Sequence, residues 1–183
     1  QIGSMLARLE MESNFIDGLR VTDQQTISIV EMVLAGAINK SLVASISAAG
    51  GMSVGISGKD GNLLIAKKLT HRTKDTDSAI ENLVDLGYVG IPDKVDKKVL
   101  DALLGVNMIP VVAPLGLGAD GQTYNINADT AAGSIASALN ASSLLMLTDV
   151  DGVLDDNGKL IPRLSTAQAK QLILNGVIKG GMI

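Results

Sequence analysis

MIPVVAPL, Met108–Leu115, is a continuous aliphatic run that reads as one buried strand. Ahead of it, Val95, Val99, Leu100 and Leu103 mark the apolar side of a helix expected from about Asp93 to Leu104, stopped at Gly105. Behind it, GLGADGQTYNI carries an Asp120–Gly121 turn and a short extended arm, and a further helix is expected from about Asp129 to Leu139. SLLMLTDV, 143–150, reads as the next strand. It stays apolar until Thr148 and Asp149, so polar groups emerge at its carboxyl end, where open α/β sheets hold their ligands. Aliphatic strands alternating with amphipathic helices specify an α/β domain with parallel pairing.

Working toward the N-terminus, GKDGN at 58–62 reads as a turn between the strand MSVGIS, 52–57, and the run LLIA, giving a hairpin or strand–turn–strand unit. Residues 22–50 read as helix, with Ile27, Val30, Leu34 and Ile38 at steps of three and four. Thr22 and Gln25 have capping-box spacing, and Gly36 is a point of bending or division. Ile2, Met5, Leu6 and Leu9 share a face of an opening helix. Toward the C-terminus, DDNGK at 155–159 is a second turn, and Ser165 with Gln168 forms a capping box for a helix ending near Gly176.

Composition narrows the function classes. The 183 residues are 46% hydrophobic but only 2% aromatic, so the core must be aliphatic. A net charge of −4 with no basic aromatic surface gives no footprint for nucleic acid, and no apolar run is expected to reach membrane-spanning length. With neither a leader nor a spanning segment read, a cytoplasmic location is expected. The absence of cysteine leaves no thiolate metal site, and the single His71 argues against a His-built zinc site.

Several motifs compete. GLGADG, 116–121, matches the dinucleotide fingerprint GxGxxG, but the Asp–Gly turn and extended arm stand where the helix should begin, so a glycine-rich hairpin is expected. LLMLTDVDGVL resembles the nucleophile motif of haloacid-dehalogenase-type phosphatases, with Asp149 attacking phosphorus and Asp151 as acid and base; too little chain follows to supply that family's remaining groups. The same segment lacks the oxygen ligands of an EF-hand. Lys67, Lys68, His71 and Arg72 read as a solvated basic face, and Lys59 as a lysine in an exposed turn.

GLRVTD at 18–23 and TYNINAD at 123–129 are the most specific segments. With VEMVLAGAINK at 30–40, GKDGN, TDVDGVL at 148–154 and GGMI at 180–183, they resemble the N-acetylglutamate kinases of the amino-acid kinase family, in order and approximate spacing, over essentially the whole chain. The resemblance implies a three-layer α/β sandwich with a mainly parallel central sheet. It implies transfer of the ATP γ-phosphoryl to the side-chain carboxylate of N-acetyl-L-glutamate in arginine biosynthesis, with Mg2+ bridging the phosphates. Arg20 would hold the substrate α-carboxylate through its planar fork, Asn125 would contact substrate, and Asp129 would organise catalytic lysines. Asp129 also stands where a helix N-cap belongs. Thr148, Asp149, Val150, Gly152, Leu154 and Lys179 would surround the nucleotide.

The family's lysine- and glycine-bearing first strand, its glycine-rich loop and a lysine beyond GGMI are not in the sequence. Residues 1–183 are therefore expected to be one domain truncated at both ends, without turnover on its own, and a homo-oligomer when complete. A nitrogen-signalling protein is a further implied partner. Another amino-acid kinase with a different acceptor, or a non-catalytic ligand-binding or assembly piece, remain the alternatives.

Overall fold

The computed structural model describes residues 1–16, 18–74, 81–148 and 152–178, without the side chains of 71–74 and 81–83. These residues form two compact units: 1–16 with 20–144, and the residues from Leu145 on with Gly18 and Leu19.

The first unit opens with α1 (Ile2–Arg8), whose Leu6 is fully buried beside Ile29 and Val33, while Leu9 is half exposed. Two short strands, β1 (Phe15–Ile16) and β2 (Leu19–Arg20), lead to α2 (Gln24–Glu31). The N-cap is Asp23, whose carboxylate accepts from the Thr26 amide at 2.7 Å; Thr22 is buried and does not cap. The expected spacing was displaced by one residue because an Asp caps as well as a Thr and Thr22 has other hydrogen bonds to make. Replacing Asp23 by Ala is expected to cost about 1 kcal/mol of stability, read from the denaturant midpoint. The Thr26 amide holds the Asp23 carboxyl below its ordinary range. The contribution is therefore present above pH ~4 and lost as pH falls through the lowered value.

Gly36 does not divide the helix. It lies in a π-helical segment, Met32–Ile38, that joins α2 to α3 (Asn39–Ala48) in one 25-residue helix, Gln24–Ala48. The helix is long and apolar enough, by length and composition, to cross a membrane, contrary to the expectation from sequence. Its apolar stripe is applied to this unit instead: Ile27 and Val30 pack with Ala113 and Leu115, and Val33 with Leu6. Asn39, also buried, donates from Nδ2 to the carbonyls of Ile56 and Val111.

β3 (Ser53–Ser57) pairs in parallel with β6 (Ile109–Ala113), from Ser53 opposite Ile109 to Ser57 opposite Ala113, as their aliphatic sequences require. The turn at 58–62 connects β3 to β4 (Leu64–Lys74) without pairing them, so the hairpin alternative fails. β4 pairs instead with β5 (Glu81–Val95), antiparallel, and with β7 (Leu115–Gly118), parallel. β8 (Thr123–Ile126) runs antiparallel to β7 and parallel to β5, closing a four-stranded barrel. The glycine-rich segment is thus the hairpin β7–β8 rather than a dinucleotide loop.

Asp93–Val95 belongs to β5, so the following helix, α4, begins only at Lys98 and ends at Gly105. Asn107 at φ 56, not Gly105, takes the left-handed position beyond it. α5 (Ala128–Ala138) then packs Ala131 into the core with Leu63, Leu64, Leu100, Tyr124 and Ile126. Among the described residues, the buried hydrophobic side chains of this α/β unit are aliphatic apart from Tyr124, as the composition dictated.

The second unit contains the turn at 155–159, where Asp155 Oδ1 accepts from the amides of Asn157 and Lys159, and a bridge between Leu154 and Leu160. α6 (Thr166–Leu174) carries the expected capping box of Ser165 and Gln168. It ends with Gly176 at φ 70 and the Val177 amide donating to the Leu172 carbonyl.

Candidate active site

β5 brings together the two segments nominated for the substrate. Thr22 lies opposite Gly87 and Asn125 opposite Val89, both in parallel register, so GLRVTD and TYNINAD attach two residues apart along one strand. The Thr22 amide donates to the Leu86 carbonyl at 2.9 Å, and the Thr22 carbonyl accepts from the Tyr88 amide at 2.6 Å. Nothing in the chain around residues 86–89 signals this in sequence except a glycine. Gly87 has φ +74, and a Cβ there would stand 2.1 Å from the Thr22 carbonyl oxygen.

Arg20 is half buried. Its guanidinium lies 4.4 Å from the centre of the Phe15 ring and donates to the Ser13 hydroxyl. Burial pulls its pKa down from the ordinary value, yet a guanidinium keeps its charge in any protein setting. The side chain therefore offers a fixed cation with donors to spare for a carboxylate.

Asn125 is half buried between the inward-facing Tyr124 and Ile126, which puts it on the opposite face of β8. The extended alternation does not reach Asp129. β8 ends at Ile126, Asn127 is the N-cap of α5 through its bond from the Thr130 amide at 3.0 Å, and Asp129 sits exposed in the first helical turn. The capping role expected of Asp129 thus belongs to Asn127, whose side chain competes equally well for it. An acid in the first turn still favours the helix dipole.

Tyr124 anchors the hairpin. Its hydroxyl donates to Asp120 Oδ2 at 2.8 Å, while Asp120 Oδ1 accepts from the Gln122 amide, closing the Asp–Gly turn. The Gln122 amide and the Tyr124 hydroxyl hold the Asp120 carboxyl below its ordinary range. Burial, then Asp120, pushes Tyr124 up to about 12. Because this lies above the ordinary value of 10.0, its stabilising contribution is complete below pH ~10 and disappears as pH rises through about 12. In a Tyr88→Phe variant, phenolate absorbance from Tyr124 is expected near pH 12 rather than near 10. A cavity of about 560 Å³ opens beside this ring, bounded by Asp23, Lys68, Asp85, Tyr88 and Asp120; its lining does not include Arg20, Asn125 or Asp129.

Other charged groups prove more engaged than their sequence context implies. Lys59 is paired with Glu31 at 2.7 Å and is about 29% exposed, so the exposed-turn reading is corrected; Glu31 also accepts from Thr123 at 3.5 Å. Lys67 and Lys68 are solvated but pair with Asp93 and Asp85 of the neighbouring strand β5 at 2.8 Å. The side chains of His71 and Arg72 lie outside the described residues.

Of the nucleotide candidates, Thr148, Gly152 and Leu154 are described and exposed, while Asp149, Val150 and Lys179 lie outside the described residues, as do Asp151 and 180–183. The strand expected here does not form: among the described residues, no strand ladder includes 143–147. Leu145 and Leu147, 82% and 90% exposed, alternate with the more covered Leu144 and Met146, the period of extended chain. No three Asp, Glu or His side chains among the described residues converge on a metal-sized site.

Residues 1–183 match the amino acid kinase family from end to end. The chain belongs to that family. Among its relatives, the "Acetylglutamate kinase" of Gluconobacter oxydans and that of Acidiphilium cryptum are each 59% identical over the whole chain, which covers 62% and 61% of their respective lengths. The chain therefore spans about three-fifths of these proteins. Among solved structures of similar fold, smu.665 from Streptococcus mutans UA159 superposes with a TM-score of 0.81 at 30% identity, covering 99% of this chain and 69% of that one. An N-acetylglutamate synthase from Neisseria gonorrhoeae, solved with coenzyme A and N-acetyl-glutamate, gives 0.72 at 27% identity over 93% of this chain and 37% of that one. For this amino acid kinase sequence, the family places the α/β character beyond composition and pattern.

Proposed function

We propose that the protein is a phosphotransferase that moves the γ-phosphoryl of ATP to the side-chain carboxylate of N-acetyl-L-glutamate, forming an acyl phosphate in arginine biosynthesis. The observation that carries the reading is the attachment of the Arg20 and Asn125 segments to positions of β5 two residues apart, in a chain whose close relatives bear the name of this kinase. A dicarboxylate must approach a triphosphate of like charge, so catalysis rests on positioning and on cations and amide donors set between them. Arg20 takes the α-carboxylate in its fork, Asn125 contacts the same substrate, and Asp129 orients cationic side chains. Thr148, Asp149, Val150, Gly152, Leu154 and Lys179 belong to the nucleotide. Mg2+ takes its oxygens largely from the phosphates, so the protein need not build a carboxylate cage.

In this reading β3 and β6 are part of a mainly parallel central sheet in a three-layer sandwich, and residues 1–183 are one domain of a cytoplasmic homo-oligomer open to a nitrogen-signalling partner. The test, on the full-length protein, is acceptor-dependent ADP release across N-acetyl-L-glutamate, glutamate, aspartate and carbamate, with hydroxylamine trapping of acyl phosphate. N-acetyl-L-glutamate is expected to give the highest kcat/KM. A different best acceptor reassigns the protein within the family, and a phosphate adduct at Asp149 indicates hydrolase chemistry.

A further inference from the structure

Arg20 stands two residues from a part of the chain that is held far more tightly than its short strand would suggest. Thr22 is completely buried and has three hydrogen bonds: its amide to Leu86, its carbonyl from Tyr88, and its hydroxyl to the carbonyl of Arg20 itself at 2.8 Å. The last bond fixes the peptide that carries the guanidinium. On the other side of this contact, the Gly87 amide is turned away and donates to Asp85 Oδ1 at 2.8 Å, and Asp85 is paired with Lys68. Gly87 can bring its Cα against the Thr22 carbonyl only because it has no Cβ and adopts φ +74.

We propose that Thr22 and Gly87 are positioning residues for substrate binding: together they lock the Arg20 peptide onto β5, two positions from the strand residue facing Asn125, and so set the distance between the two substrate contacts. The inference rests on the assignment of Arg20 and Asn125 to N-acetyl-L-glutamate. A methyl group at Gly87 must displace the Thr22 carbonyl by more than about 1 Å to reach ordinary contact, and a displacement of even about 1 Å between binding groups costs on the order of a hundredfold. Thr22→Val keeps the shape but removes the hydroxyl donated to Arg20, which frees that peptide without opening a cavity.

The test compares Gly87→Ala, Thr22→Val and Thr22→Ser in the full protein. The kinetic readout is KM for each substrate, and the structural readout is amide hydrogen exchange at Thr22 and Tyr88, whose N–H groups make the lock. Gly87→Ala is expected to lower kcat/KM for N-acetyl-L-glutamate about a hundredfold with KM for ATP unchanged, and to speed exchange at both amides. Thr22→Val should raise the N-acetyl-L-glutamate KM about tenfold, and Thr22→Ser, which keeps the hydroxyl, should restore it. If Gly87→Ala does not fold, the Thr22 pair decides the question. Unchanged exchange with unchanged KM overturns the proposal, as does a Thr22→Ser variant that behaves like Thr22→Val or an equal rise in both KM values. Should exchange respond as expected while no variant, nor the unsubstituted protein, shows acceptor-dependent ADP release, the lock stands and the acceptor assignment fails.

Discussion

Replacing Arg20 by Ala in the complete enzyme is expected to raise KM for N-acetyl-L-glutamate about ten- to a hundredfold while leaving KM for ATP nearly unchanged. The range follows from the roughly 1.5–3 kcal/mol contributed by hydrogen bonds to a charged partner, lost when the fork is removed. The site limits the side effects. Arg20 is half buried, and its contact with Phe15 contributes only about 0.5–1 kcal/mol at such a position, so the melting temperature should fall by a few degrees at most. Lysine should rescue poorly, because a point charge cannot make two parallel bonds to a carboxylate. Steady-state kinetics with each substrate varied in turn, beside a melting curve, gives the answer. Equal losses for both substrates, accompanied by a large fall in melting temperature, would make Arg20 a structural residue.

How far the sequence reveals the architecture depends on the range of the interaction that decides each element. Helix ends and turns are settled within a few residues, and they were legible: the capping box of Ser165 and Gln168, the turn at 155–159, and the hairpin closed by Asp120 and Gly121. Even there the competition between adjacent caps misplaced Thr22 and Asp129, because Asp23 and Asn127 are chemically equivalent to them and only the packing of the chain before the helix chooses. β5 was not legible, and β4 only at its start in LLIA. Their sequences mix Lys, Asp and Gly among the apolar residues because the barrel exposes one face and twists through irregular register at Ile65/Ala66 and Lys68/Thr70, which breaks the two-residue alternation.

SLLMLT failed in the opposite direction. Its composition is that of a strand, but the pairing that makes a strand depends on its neighbours, and no strand ladder among the described residues includes 143–147. The same logic applies to the site. Arg20 and Asn125 could be nominated from the chemistry and the family motif, whereas the strand that holds them together could not, since Gly87 acts through an absent atom. Thr22 illustrates the point from the other side: a threonine ahead of a helix looks like a cap, and burial turned it into a cross-strand contact.

The other large effect is expected at Tyr124, where Ala should destabilise the protein by about 3–5 kcal/mol and Phe by only about 1. Among the described residues, Tyr124 is the one buried aromatic, 5% exposed, and neighbouring backbone is shaped to it. A Cβ at Gly90 would come within 2.7 Å of the Tyr124 Cβ, and one at Gly118 within 2.5 Å of its ring. Two strands of the barrel thus lack side chains where this ring lies, so truncation leaves a space that neither glycine can fill. Phe keeps the ring and loses only the bond to Asp120, whose exposed carboxylate can turn to water. The two substitutions therefore separate packing from hydrogen bonding at one position. Denaturant unfolding monitored by circular dichroism measures both, and similar losses for Phe and Ala would mean that the hydroxyl, not the ring, holds the hairpin. Function adds a second readout. Asn125 follows Tyr124 directly, so the ring that fixes the register of β8 also fixes which face Asn125 presents. At a temperature where both variants remain folded, the Ala variant should raise KM for N-acetyl-L-glutamate well above that of the Phe variant. A Phe variant impaired in KM but not in stability would instead assign the Asp120 bond to setting the arm rather than to holding the fold.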